Sequence, residues 1–169
     1  MKHLKSMMVI FASATALSSF AHASTNLVQN GGFETGDFTG WTLSGNLGAT
    51  GVSGSPNSPE EGRYAAQLGA VGSDDTMSQT LTTTAGQSYT LSFWHIYAPG
   101  AGPVGDFSVQ WDGNYVFGPV ASTSPPSPQI WTEYSIVVTG TGSDTLSFNS
   151  RNDPSYQGLD NISVTAGAP

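Results

Sequence analysis

The chain has 169 residues with Lys+Arg 4, Asp+Glu 12 and a formal net charge of −8. So few cations cannot neutralise a run of phosphates, which excludes a nucleic-acid binder. Zero cysteines exclude a disulfide framework and a cysteine-based zinc site, and 11% aromatics with only 9% charged residues exclude a disordered chain.

Residues 1–23 read as a secretory signal. Lys2, His3 and Lys5 form a positive start, Met7 to Phe20 is apolar with small residues, and Ala21-His22-Ala23 fits a small-x-small cleavage site before Ser24. The apolar stretch is too short to span a bilayer comfortably. Cleavage removes both lysines and leaves Arg63 and Arg151 against all twelve acids. The expectation is a secreted protein, extracellular or periplasmic, with no membrane insertion once the signal is gone. Residues 24–166 form one domain and 167–169 a short tail.

Within that domain, strand signals alternate with Gly/Pro/Ser/Asn/Asp clusters, the pattern of an all-β sandwich. In chain order the predicted strands are 42–47, 64–68, 76–83, 88–97, 106–117, 132–139, 145–149 and 161–165. Loops are predicted at 51–61, 98–105 and 122–129; Pro125, Pro126 and Pro128 exclude the last from a ladder. No segment reads as a long amphipathic helix. Period-two alternation assigns a core face to Tyr89, Leu91 and Phe93, to Phe107, Val109 and Trp111, to Tyr134, Ile136 and Val138, to Leu146 and Phe148, and to Ile162 and Val164. Trp41 and Trp131 read as core or edge aromatics.

The opposite faces carry Trp94 and Ile96, Ser108 and Gln110, then Ser147, Asn149 and Arg151. If their strands are neighbours, one outer face presents a tryptophan among amides, hydroxyls and a guanidinium. Sugar rings stack their C–H groups on aromatic planes and pair their hydroxyls with such side chains. Trp94, Gln110, Asn149 and Arg151 are therefore candidate ligand residues, with Tyr97 and Tyr156 as rim aromatics. The alternatives are packing under a loop for Trp94 and an ion pair with Asp153 or Asp112 for Arg151. His95, the only histidine after cleavage, falls on the core side and reads as a buried, hydrogen-bonded residue. Asp74-Asp75 and Glu60-Glu61 read as solvated turn acids. No Gly-x-Ser-x-Gly elbow, phosphate loop or marked carboxylate pair appears, so the expectation is a non-catalytic protein.

The run Asn26-Leu27-Val28-Gln29-Asn30-Gly31-Gly32-Phe33-Glu34 opens the domain, Gly40-Trp41 follows, and Trp131-Thr132-Glu133-Tyr134 and Leu159-Asp160-Asn161-Ile162-Ser163-Val164 come near the end. This series resembles the galactose-binding-like jelly rolls. Among them it is similar to CenC-type carbohydrate-binding modules and to related domains of bacterial exported proteins that often carry a PEP-CTERM sorting tail. The resemblance implies a two-sheet antiparallel jelly roll, a polysaccharide or cell-surface glycan as partner, and a structural calcium ion (Ca2+) held by Glu34 and Asp160 with backbone carbonyls, an oxygen-only set that suits calcium. Otherwise Glu34 caps a turn and Asp160 binds backbone amides. The sequence departs from the PEP-CTERM pattern after the last strand: it shows Ala168-Pro169 where a Pro-Glu-Pro motif, an apolar helix and basic residues usually follow. A second reading of the same resemblance is a structural cell-surface or biofilm-matrix protein without a defined sugar site.

Overall fold

The computed structural model describes residues 25–54, 58–97, 104–121 and 130–167. The predicted signal, the loop 122–129, most of the loop 98–105 and the last two residues lie outside these. The ten strands are β1 (Thr42–Gly45), β2 (Gly51–Ser53), β3 (Ala65–Leu68), β4 (Asp75–Thr82), β5 (Ser88–Tyr97), β6 (Val104–Trp111), β7 (Asn114–Ala121), β8 (Thr132–Thr139), β9 (Ser143–Asp153) and β10 (Gln157–Ala166). They form two antiparallel five-stranded sheets, ordered β1-β4-β9-β6-β7 and β2-β3-β10-β5-β8. This is a jelly-roll sandwich with no helix among the described residues, and none is long and apolar enough to cross a membrane.

The alternating residues assigned to the core do fill the space between the sheets. Phe93 on β5 reaches across to Phe148 on β9 at 5.4 Å, Phe107 on β6 at 5.9 Å and Phe117 on β7 at 5.8 Å between ring centroids. Phe33 and Trp41 extend this cluster from the N-terminal segment, Trp41 meeting Phe148 at 6.1 Å. That segment lies beside the second half of β10: Leu27 N–H donates to Val164 O, and Ile162 N–H to Gly31 O. A Cβ on Gly31 would overlap the Ile162 carbonyl oxygen, so the Asn-Gly-Gly run is what lets the chain approach β10 this closely.

Three readings are corrected. The predicted strand 106–117 is two strands. Asp112 and Gly113 both adopt positive φ (52° and 76°) and turn β6 into β7 with Trp111 opposite Asn114, the Asp-Gly hairpin geometry. Asp75 is no solvated turn acid. It is 2% exposed and accepts from Ser150 Oγ at 2.7 Å and from Thr50 Oγ1, because it begins β4 on the inward face. Glu60 and Glu61 fold back onto β10, where both accept from Asn161 Nδ2.

Candidate functional site: the outer face of the β1-β4-β9-β6-β7 sheet

Register places the side chains of this face in rows. In one row Ser44, Thr76, Asn149 and Ser108 are successive cross-strand partners. Three of them bond to one another: Thr76 Oγ1 donates to Asn149 Oδ1 at 2.8 Å and Asn149 Nδ2 to Ser108 Oγ at 3.5 Å. The next row holds Thr42, Ser78, Ser147, Gln110 and Tyr115, one residue from each strand. None of these five side chains hydrogen-bonds another described residue. Tyr115 is 60% exposed. Neighbouring strands lie about 4.8 Å apart, so this row is a track of unspent donors and acceptors about 19 Å long ending at an exposed aromatic ring.

Further along the same face, Asp106 on β6 stands directly opposite Arg151 on β9. The Arg151 guanidinium is committed to Asp153, donating from Nε at 3.1 Å and Nη2 at 2.6 Å to one carboxylate oxygen, the ion pair named above as its alternative. The Asp153 partnership pushes the Arg151 pKa up and holds the Asp153 carboxyl down. Burial raises the Asp106 carboxyl, and the charge of Asp74 adds to this.

The sequence grouping therefore divides. Gln110, Asn149 and Arg151 share this face. Trp94 does not: β5 pairs with β10 and β8, so Trp94 stands on the opposite side of the sandwich between Asp160 and Glu133. Alternation fixed the face of each residue on its own strand and was silent on which strands are neighbours. Tyr97 ends β5 half-buried, its ring 4.7 Å from His95. Burial pushes its hydroxyl up to about 12. Tyr156 sits in the turn between β9 and β10, its ring close to Gly69. Neither belongs to the row of Gln110. Trp131 also lies across from this face: its indole rests on Gly158 of β10 and donates to Ser58 O at 3.0 Å. A cavity beside it holds about 10 Å³, room for one water, and is lined in part by Ser53, Gln67 and Gly158. Thr42, Ser78 and Tyr115 carry no mark of a ligand residue in the sequence, and Ser147 is placed on the outer face there without being a candidate ligand residue. The signals were the alternation in 76–83 and the Asp-Gly turn, which puts Tyr115 opposite Gln110.

Glu34 and Asp160 both lie beside Gly32. A Cβ on Gly32 would lie 3.9 Å from both Glu34 Cγ and Asp160 Oδ1. Glu34 Oε1 accepts from the amides of Arg63 (2.9 Å) and Tyr64 (3.0 Å). Asp160, fully buried, accepts from the amides of Glu60 at 3.0 Å and Asn161 at 2.8 Å. Burial pushes its carboxyl up to about 6 despite these donors. Among the described residues no three carboxylate or imidazole groups converge closely enough to hold a metal between them. The donor chemistry still suits a hard cation: two carboxylates flank one glycine, one of them buried, with no basic side chain among the described residues bonded to either.

No protein-family model matches the sequence, and no curated protein matches it. Solved structures do share its fold. A family 61 carbohydrate-binding module, TmCBM61 in complex with β-1,4-galactotriose, superposes with a TM-score of 0.65 at 21% identity, over 85% of this chain and 100% of the module. A family 16 carbohydrate-binding module gives 0.58 at 20% identity, over 83% and 99%. The CBM22-1 xylan-binding domain of Paenibacillus barcinonensis Xyn10C gives 0.59 at 17% identity, over 87% and 97%. The chain thus has the jelly-roll fold of these modules.

Proposed function

We propose that this protein is a secreted, non-catalytic glycan-binding domain whose ligand lies on the outer face of the β1-β4-β9-β6-β7 sheet. The observation that carries the reading is the row Thr42, Ser78, Ser147, Gln110 and Tyr115, whose polar groups face outward without partners among the described residues. A glycan laid along it would stack ring C–H groups on Tyr115, while its hydroxyls exchange hydrogen bonds with the Gln110 amide and the three hydroxyls. The fold, shared with modules described as bound to galactotriose or as xylan-binding, supports the same reading. His95, the only imidazole among the described residues, is sealed in the core against Gln157 and is out of reach of a surface ligand as a general base, which supports a role without catalysis. A calcium ion at Glu34 and Asp160 completes the proposal, with a purely structural role: it would join the N-terminal segment to β10, a strand of the other sheet.

The test is affinity electrophoresis of the signal-free chain in gels containing different polysaccharides. Retardation by at least one glycan is expected, lost in Tyr115→Ala and Gln110→Ala while their melting temperatures stay near wild type. Migration unaffected by every glycan, or retardation that survives both substitutions, would overturn the assignment of this face.

A further inference from the structure

The charge distribution on this face narrows the ligand class, given the glycan reading above. The only cation that the described residues contribute to the face is Arg151, and it is spent on Asp153. Asp153 is itself anchored through its other oxygen, which accepts from Gly72 N at 2.9 Å. Asp106 stands opposite Arg151 in the register, and its side chain makes no hydrogen bond with a described residue. Asp74, next to the Asp75 that pairs with Ser150, bears on both groups through its charge. One carboxylate thus holds the guanidinium, a second faces it in the register, and the charge of a third bears on both. Arg63, the other described cation, lies over the Tyr64 ring at the start of β3 and belongs to the opposite sheet. The whole chain adds its own excess of acids, with Asp+Glu 12 against Lys+Arg 4.

We propose that this face selects neutral glycan chains and excludes those bearing uronate, sulfate or phosphate groups. A neutral chain needs only the hydroxyl and amide groups of the track. An anionic chain approaching the same face brings like charges against Asp74, Asp106 and Asp153 and finds no free cation among the described residues to offset them, and juxtaposed like charges suppress wrong partners strongly.

The experiment compares neutral galactan and xylan with polygalacturonate and dextran sulfate, in chelator and at low salt where charge effects are least screened. At least one neutral chain should be retained, and the acidic ones bound more than about tenfold more weakly. The double variant Asp74→Asn, Asp106→Asn should gain retention of the acidic chains, fading as salt rises, and Asp153→Asn should do the same by releasing Arg151. Wild-type retention of an acidic chain in chelator, or only once calcium is added to bridge the charges, would overturn the exclusion and leave the glycan reading standing. Folded variants with no gain would also overturn it. Retention of none of the four chains would count against the glycan reading itself, and the selectivity would fall with it.

Discussion

His95 Nε2 and Gln157 Oε1 lie 2.8 Å apart inside the sandwich, with the imidazole stacked on Phe107 at 4.1 Å between centroids. The Gln157 amide nitrogen is already spent on Asp106 O and Arg151 O, so its oxygen must face the ring, and His95 Nε2 carries the proton. Burial lowers the His95 pKa to about 4, with the Gln157 bond opposing that shift. The unfolded chain, with an ordinary histidine value of 6.5, takes up its proton first as pH falls. The contribution of His95 is therefore complete above pH ~6.5 and lost toward pH ~4, on the order of 3 kcal/mol over the window. Wild type minus His95→Gln, followed by urea denaturation across this range, should slope with pH. Parallel curves would refute it.

Gly158 carries the Trp131 indole. A Cβ there would come 2.7 Å from Trp131 Cη2 and 2.6 Å from Ile96 Cγ2. Gly158→Ala should lift the ring, break its bond to Ser58 O and cost about 1–3 kcal/mol. A red-shifted tryptophan emission with a lower melting temperature is the expected readout; unchanged emission and melting would show that the ring tolerates the methyl.

The alternation in 88–97 and 132–139 gave strand bounds that β5 and β8 reproduce, because one face of each meets the core and the pattern records that contact locally. Strand order leaves no such record. Trp94 and Gln110 look equivalent in sequence, each one step from a core phenylalanine or valine, yet β5 and β6 enter different sheets. Asp75 was misread for a related reason: an acid beside turn residues looks solvated, and only the fold brings Thr50 and Ser150 over it. The candidate track is half legible. Gln110 stood out by residue type, whereas single hydroxyls such as Thr42 and Ser78 gain meaning only when register lines them up.

At the far end of the core, Asp144 gathers Thr83 Oγ1, Thr141 N and Oγ1, and Trp111 Nε1 at 3.1 Å. These donors hold the end of β9 to the neighbouring loops. Asp144→Ala removes that fully buried acceptor and leaves Trp111 Nε1 with Thr139 O alone; losing hydrogen bonds to a charged group costs about 1.5–3 kcal/mol each. A fall in the urea midpoint larger than that of Asp112→Ala, whose carboxylate is exposed and accepts from Thr145 N, is expected. Equal falls would deny the network its weight.

Asp160 titrates with the opposite sign to His95. Its folded pKa, raised by burial to about 6 from 3.8, makes its contribution complete below pH ~3.8 and lost as pH rises through ~6 in the absence of a metal ion. A cation bound at Glu34 and Asp160 favours the ionised carboxylate, so calcium should restore the stability lost on the alkaline side and release a proton on binding near pH 6. Asp160→Asn removes both effects: its melting temperature in chelator should be flat across this window relative to wild type, with no response to calcium. Glu34→Gln should lose the calcium response and keep the pH slope, since Asp160 stays buried. Because His95 and Asp160 act in overlapping windows, each must be read as wild type minus its own variant. A wild-type melting temperature that is the same in calcium and in chelator from pH 4 to 8 would remove the ion from the proposal and leave Glu34 and Asp160 as acceptors for the amides of the 60–64 loop.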